Sequence, residues 1–125
     1  RPLTLGRVVI FDYCVPRTNE LHDDWLRTYR GHQRGGPPLE SPGSQDITVE
    51  VCVDQLTSVR PPSSVLTQAD WLRAHGIDEL VAEARAAADE PARDLPSLRL
   101  RSRLSEAPAL LDPTGLGGFA VIEWF

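Results

Sequence analysis

At 125 residues the chain is long enough for one domain with a buried core. Its net charge of −5 and pI of about 5.1 argue against a nucleic-acid-binding footprint. No apolar run approaches membrane-spanning length and no signal-peptide core opens the chain, so the sequence reads as a soluble, cytoplasmic protein. The chain begins with Arg1 and contains no Met, as expected of a processed chain or a piece of a longer one. Every basic residue is Arg, which reflects coding composition more than function. Cys14 and Cys52 match no metal-ligand spacing and read as free thiols in a reducing compartment.

A strand is predicted over 7–12, where Val8-Val9-Ile10-Phe11 runs without a polar break and ends at Asp12. A continuous apolar run of this length predicts a strand covered on both faces of a parallel sheet. Ligands of open α/β sheets sit beyond the carboxyl ends of such strands, where Asp12 and Tyr13 stand. From 14 to 45 no periodicity holds, and Pro and Gly punctuate a long loop. Within it Trp25-Leu26-Arg27-Thr28-Tyr29-Arg30-Gly31-His32 combines aromatics with cations, either pinning the loop to the core or binding a ligand.

The segment 47–58 alternates Ile47, Val49, Val51 and Val53 with Thr48, Glu50 and Cys52. It reads as a strand passing into a helix, or as a helix capped by Asp46 or Thr48. A short strand follows at 64–67. Thr67 with Asp70 three residues on marks a helix start. Helices are predicted over 68–75, 78–89 and 97–111, with breaks at Gly76 and at Asp89-Glu90-Pro91 and an interruption at Pro108. Phe119 to Phe125 closes the chain as an apolar strand over 119–125. Strands alternating with helices predict a mainly parallel α/β sheet in a single domain, with the last strand beside the first.

No strand-to-helix turn is glycine-rich, and Gly115-Leu116-Gly117-Gly118 precedes a strand, a poor place for a cofactor loop. His22, His32 and His75 are not spaced as metal ligands. Cys14 and His32 have the residue types of a nucleophile and base, but nothing in the sequence brings them together.

Several elements resemble those of the MidA-type S-adenosylmethionine-dependent methyltransferases. Gly6-Arg7-Val8-Val9-Ile10-Phe11-Asp12-Tyr13 resembles the family's strand ending in Asp-Tyr-Gly. Leu26-Arg27-Thr28-Tyr29-Arg30-Gly31-His32 resembles its Leu-Arg-x-Tyr-x-x-His element, and Pro42-Gly43-Ser44-Gln45-Asp46-Ile47-Thr48 its Pro-Gly-x-x-Asp-(Leu/Ile)-Thr element. Thr67-Gln68-Ala69-Asp70-Trp71-Leu72 with Gly76-Ile77, and Leu111-Asp112-Pro113 with Leu116-Gly117, complete the order. Two departures stand out: Cys14 replaces the Gly after Asp-Tyr, and Asp24-Trp25 replaces the usual Gly-Thr.

The resemblance covers the carboxy-terminal part of such an enzyme. It implies the end of a class I, Rossmann-like methyltransferase sheet with covering helices, with the S-adenosylmethionine loop upstream of this segment. It also implies protein arginine N-methylation in the intact enzyme, as associated with mitochondrial relatives that act on a respiratory complex I subunit. A guanidinium acceptor needs carboxylates in fork geometry and a proton acceptor. The candidates are Asp12 and His32 as catalytic residues, and Tyr13, Arg27, Tyr29 and Asp46 as substrate-binding residues. No cofactor- or metal-binding residue is expected in this segment. The expected partner is a protein substrate, with no nucleic acid and no membrane. A different class of reading is a non-catalytic interaction module or remnant, which self-associates through an exposed sheet edge.

Overall fold

The fold is that of a computed structural model, which describes residues 6–88 and 94–125. In chain order the strands are β1 (Val8–Asp12), β2 (Cys14–Val15), β3 (Leu26–Arg30), β4 (Gln33–Arg34), β5 (Asp46–Val49), β6 (Val51–Cys52), β7 (Ser64–Thr67) and β8 (Ala120–Trp124). The helices are α1 (Val53–Val59), α2 (Gln68–Ala74), α3 (Ile77–Ala88) and α4 (Leu95–Leu111). The lead-in at Leu3 and the Asp89-Glu90-Pro91 stop lie outside the described residues. Where the sequence predicts a single domain, the chain divides into two units. The first is Arg1–Asp12 with Pro62–Phe125, and the second is Tyr13–Pro61.

The first unit is built on a three-stranded sheet of order β1-β8-β7. β8 is central: Val121 and Ile122 are both 0% exposed. Burying a side chain of this size contributes about 1.5–3 kcal/mol relative to leaving it in water. Both neighbours pair with β8 antiparallel, Ile10 and Val65 each opposite Ile122. The expected parallel pairing at this point is therefore corrected. The reason lies in the excursion through α2, α3 and α4. It returns the chain to the end of β7 from which it left, so Ala120 enters β8 opposite Thr67 and Gln68 N–H donates to the Phe119 carbonyl at 2.7 Å. Because both outer strands oppose β8, β1 and β7 run in the same direction.

The expectation that β1 is covered on both faces is also corrected. It is an edge strand of this sheet, with Val8, Ile10 and Phe11 exposed. An unbroken apolar run reports that both faces favour burial; it carries no information on which strand lies alongside.

Local chemistry sets the helix ends. The Thr67 hydroxyl accepts from Asp70 N–H at 3.1 Å and donates to the Asp70 carboxylate at 2.7 Å, which satisfies an otherwise unpaired donor of α2. Gly76 takes the left-handed conformation between α2 and α3 (φ +90°). Asp94 caps α4 through a reciprocal pair of bonds with Ser97, and α4 continues through Pro108 to Leu111. Between α4 and β8 the chain doubles back so tightly that a Cβ on Gly117 would lie 2.4 Å from the Leu111 carbonyl carbon.

β1 is tied to β8 by more than its ladder. Arg7 Nε donates to Glu123 at 2.9 Å, and Ser64 donates to the same carboxylate at 2.8 Å. The Trp71 indole N–H meets no full hydrogen-bonding geometry among the described residues, yet it faces this carboxylate as a donor. Trp71 most of all, with Ser64 and Arg7, holds Glu123 below its ordinary value against the opposing effect of burial. No helix among the described residues is long and apolar enough to cross a membrane.

The second unit replaces the predicted loop over 14–45. Its sheet has the order β4-β3-β5, all antiparallel, and β2 pairs parallel with β6. The segment 47–58 is a strand first and a helix from Val53. Cys14 lies opposite Val51 while Cys52 lies opposite Val15, so successive side chains place the two thiols on opposite faces. Neither Cys14 nor Cys52 is in a disulfide.

Candidate functional site

The β3–β4 hairpin sets the geometry of the second unit. Gly31 (φ +54°) and His32 (φ +63°) are both left-handed, the signature of a two-residue type I′ turn. That turn fixes Arg30 opposite Gln33 and Tyr29 opposite Arg34. On the other side of β3, Arg27 faces Thr48 and Tyr29 faces Asp46. Directly opposed residues share a face, and residues two apart on a strand share it too. Arg27, Tyr29, Arg34, Asp46 and Thr48 therefore line one face of the sheet.

Two guanidinium–phenol stacks stand on this face. The Arg27 guanidinium lies 5.1 Å from the ring centroid of Tyr13, and that of Arg34 lies 5.7 Å from the ring of Tyr29. The Tyr13 and Thr48 hydroxyls are hydrogen-bonded. Arg27 Nη1 donates to Glu50 at 3.3 Å, with both side chains largely buried. Burial alone disfavours the Arg27 charge, but the Tyr13 hydroxyl and then Glu50 outweigh it and raise the guanidinium above its ordinary value. Arg34 donates to the Tyr29 hydroxyl and to Asp24, both at 3.4 Å.

Tyr13, Arg27, Tyr29 and Asp46 thus fall on one connected polar surface. The exposed Asp46 carboxylate makes no ion pair or side-chain hydrogen bond among the described residues. His32 stands exposed at the hairpin tip, outside the paired rows of β3 and β5. Asp12 closes β1 opposite Ala120 and belongs to the first unit. Thr48, Glu50 and Arg34 join the surface without having been singled out as binding residues. The alternation 46, 48, 50 against Ile47, Val49 and Val51 is the signal that places Asp46, Thr48 and Glu50 together. Fixed cations, phenols and an available carboxylate make this a surface for polar, charged ligands.

The described residues do not form a glycine-rich cradle for S-adenosylmethionine. The strand-to-helix junctions, Cys52-Val53 and Thr67-Gln68, contain no glycine. The glycines at 115–118 serve close packing: a Cβ on Gly118 would meet the Pro113 carbonyl oxygen at 2.4 Å. Among the described residues no group of three or more His, Cys, Asp or Glu is arranged to hold a metal ion.

Of the comparisons with known proteins, the family model points to a methyltransferase and the solved structure to a shared fold. A family model described as "Putative S-adenosyl-L-methionine-dependent methyltransferase" matches residues 1–68. An "uncharacterized ACR" superfamily protein from Burkholderia thailandensis, known from its crystal structure, shares the fold with a TM-score of 0.69 and 23% identity over 96% of this chain. The chain spans 33% of the length of that protein. No curated protein matches. With more than half of its residues matched by the family model, the chain belongs to this family of S-adenosyl-L-methionine-dependent methyltransferases.

Proposed function

We propose that the chain is the carboxy-terminal part of a MidA-type, class I Rossmann-like methyltransferase that modifies a protein arginine in the cytoplasm. One observation carries this reading: β1 and β7 run in the same direction with β8 antiparallel between them, and β1 is an open, apolar edge. A parallel sheet extended beyond β1 would be a doubly wound sheet carrying one antiparallel strand, an arrangement common in α/β proteins. The 33% span of the structural relative supports the same reading. S-adenosylmethionine, when bound, supplies the methyl group, and its site belongs to the upstream sequence.

The contribution of this chain is acceptor binding. Arg27 and Arg34 are held against their phenols, and Asp46 offers a carboxylate that can pair with an acceptor guanidinium. Asp12, at the carboxyl end of β1, is the candidate proton acceptor of the first unit, and His32 the candidate in the second. Without the rest of the sheet, the β1 edge favours self-association.

Reading the coding sequence upstream of Arg1 tests this. An in-frame strand followed by a glycine-rich turn is expected. A start codon in place of Arg1 would overturn the proposal.

A further inference from the structure

The β3–β4 hairpin and the loop that follows it carry a second feature. A cleft of about 320 Å³ is lined by Arg30, Gln33, Arg34, Gly36, Glu40, Ser41 and Gln45. Its walls are held by named bonds. Gln45 Nε2 donates to the carbonyls of Pro37 at 2.8 Å, Glu40 at 3.1 Å and Pro38 at 3.4 Å. The Thr28 hydroxyl donates to the Gly36 carbonyl at 2.6 Å. Arg30 Nε donates to the Ser44 carbonyl at 3.1 Å and its Nη2 to the Ser44 hydroxyl, which in turn donates to the Ser41 carbonyl at 2.7 Å. Ser41 is held at φ +53°, a conformation uncommon for a residue with a side chain.

The charges in this cleft are not matched internally. Arg34 is engaged by Asp24 and Tyr29. Arg30 is fixed through Nε and Nη2, and its Nη1 makes no hydrogen bond to a described residue. Glu40 makes no ion pair among the described residues. Its carboxylate lies over Gly36, where a Cβ would come within 2.5 Å of Oε2. A cation and a carboxylate thus line one cleft without forming an ion pair with each other.

We propose that this cleft binds a small dipolar ligand of the amino-acid class, its carboxylate on Arg30 and its cationic group on Glu40. The volume is at the small end of the roughly 300–1,000 Å³ typical of ligand sites. Walls already fixed by internal hydrogen bonds lower the ordering cost of binding. The polar lining excludes an apolar ligand, and the two opposite charges disfavour a ligand bearing only one.

The test is a ¹⁵N NMR titration of the full chain with L-lysine, with cadaverine, which lacks the carboxylate, and with hexanoate, which lacks the cation. L-lysine is expected to shift the Gly35 and Gly36 amides, with each half-ligand at least about tenfold weaker. Glu40→Gln should abolish the preference over hexanoate, and Arg30→Gln the preference over cadaverine. The Glu40 carboxylate supports no bond of the fold, so Glu40→Gln remains readable if Arg30→Gln fails to fold. Equal binding of L-lysine and cadaverine, an unaltered preference in Glu40→Gln, or no shift of the cleft amides would overturn the proposal.

Discussion

The guanidinium of Arg27 is held between the Tyr13 ring, 5.1 Å away, and the Glu50 carboxylate, 3.3 Å from Nη1. Glu50 Oε2 is buried without another partner among the described residues. Arg27 is therefore the ion-pair partner of Glu50 among the described residues. Arg27→Ala should destabilise the protein by about 1–3 kcal/mol, because it strands a shielded carboxylate. Glu50→Gln should cost less, since the amide needs no counter-charge. Urea unfolding measures both, and equal losses would argue against this coupling.

Acid should act through Glu123. Its carboxyl is held below its ordinary value of 4.5 by Trp71 first, then Ser64 and Arg7. A lowered folded value means stabilisation that is fully present above that ordinary value and lost as pH falls through the lower folded one. Melting temperature followed from neutral pH downwards should decline below about pH 4.5. Glu123→Gln should be less stable at neutral pH and should flatten part of that acid limb. An acid limb unchanged by the substitution would contradict the assignment.

His75 has a defined tautomer. Its Nδ1 lies 2.7 Å from the Trp71 carbonyl, which can only accept, so Nδ1 carries the proton. Nε2, 3.3 Å from Arg7 Nη2, then accepts. Long-range ¹H–¹⁵N NMR should report a protonated Nδ1 at neutral pH, and Arg7→Gln should alter the Nε2 resonance. A protonated Nε2 alone would refute the arrangement.

Two glycines should respond differently to alanine. At Gly117 the new Cβ meets backbone of Leu111 at 2.4 Å and cannot be relieved by a side-chain rotation. Gly117→Ala should cost about 1–3 kcal/mol or more by overpacking. Gly43 has open space around it but φ +81°, so Gly43→Ala pays only for its backbone conformation, about 1–2 kcal/mol. Chemical denaturation ranks the two, and a milder loss at Gly117 would contradict the packing.

Much of the first unit was legible because its signals are local. Thr67 with Asp70 announces a cap, Gly76 a helix end, and the runs Val8–Phe11 and Ala120–Trp124 are apolar enough to read as strands. The sense of β8 was not legible, because it depends on the end to which three helices return the chain. The strands β3 and β4 were hidden for a different reason. Arg27, Tyr29 and Arg34 face a polar surface, so Leu26-Arg27-Thr28-Tyr29-Arg30 lacks the apolar alternation that marks a half-buried strand. Its turn is Gly31-His32, not the Asn-Gly that signals a type I′ hairpin. The boundary after Asp12 carries no linker composition, whereas Pro61-Pro62 marks the other one.

Of the candidate residues, Arg27, Tyr29 and Asp46 share one surface because β3 and β5 pair in register, and Tyr13 joins them through Arg27 and Thr48; both are long-range facts that spacing cannot encode. Glu50 escaped notice for the same reason: only the pairing brings it to Arg27.

The most direct measurement is S-adenosylmethionine binding by calorimetry, on this 125-residue chain and on the protein extended upstream. The chain alone should show no binding, and the extended protein should bind at about micromolar affinity, near −8 kcal/mol. Micromolar binding by the chain alone would place the cofactor site within these residues and contradict the account.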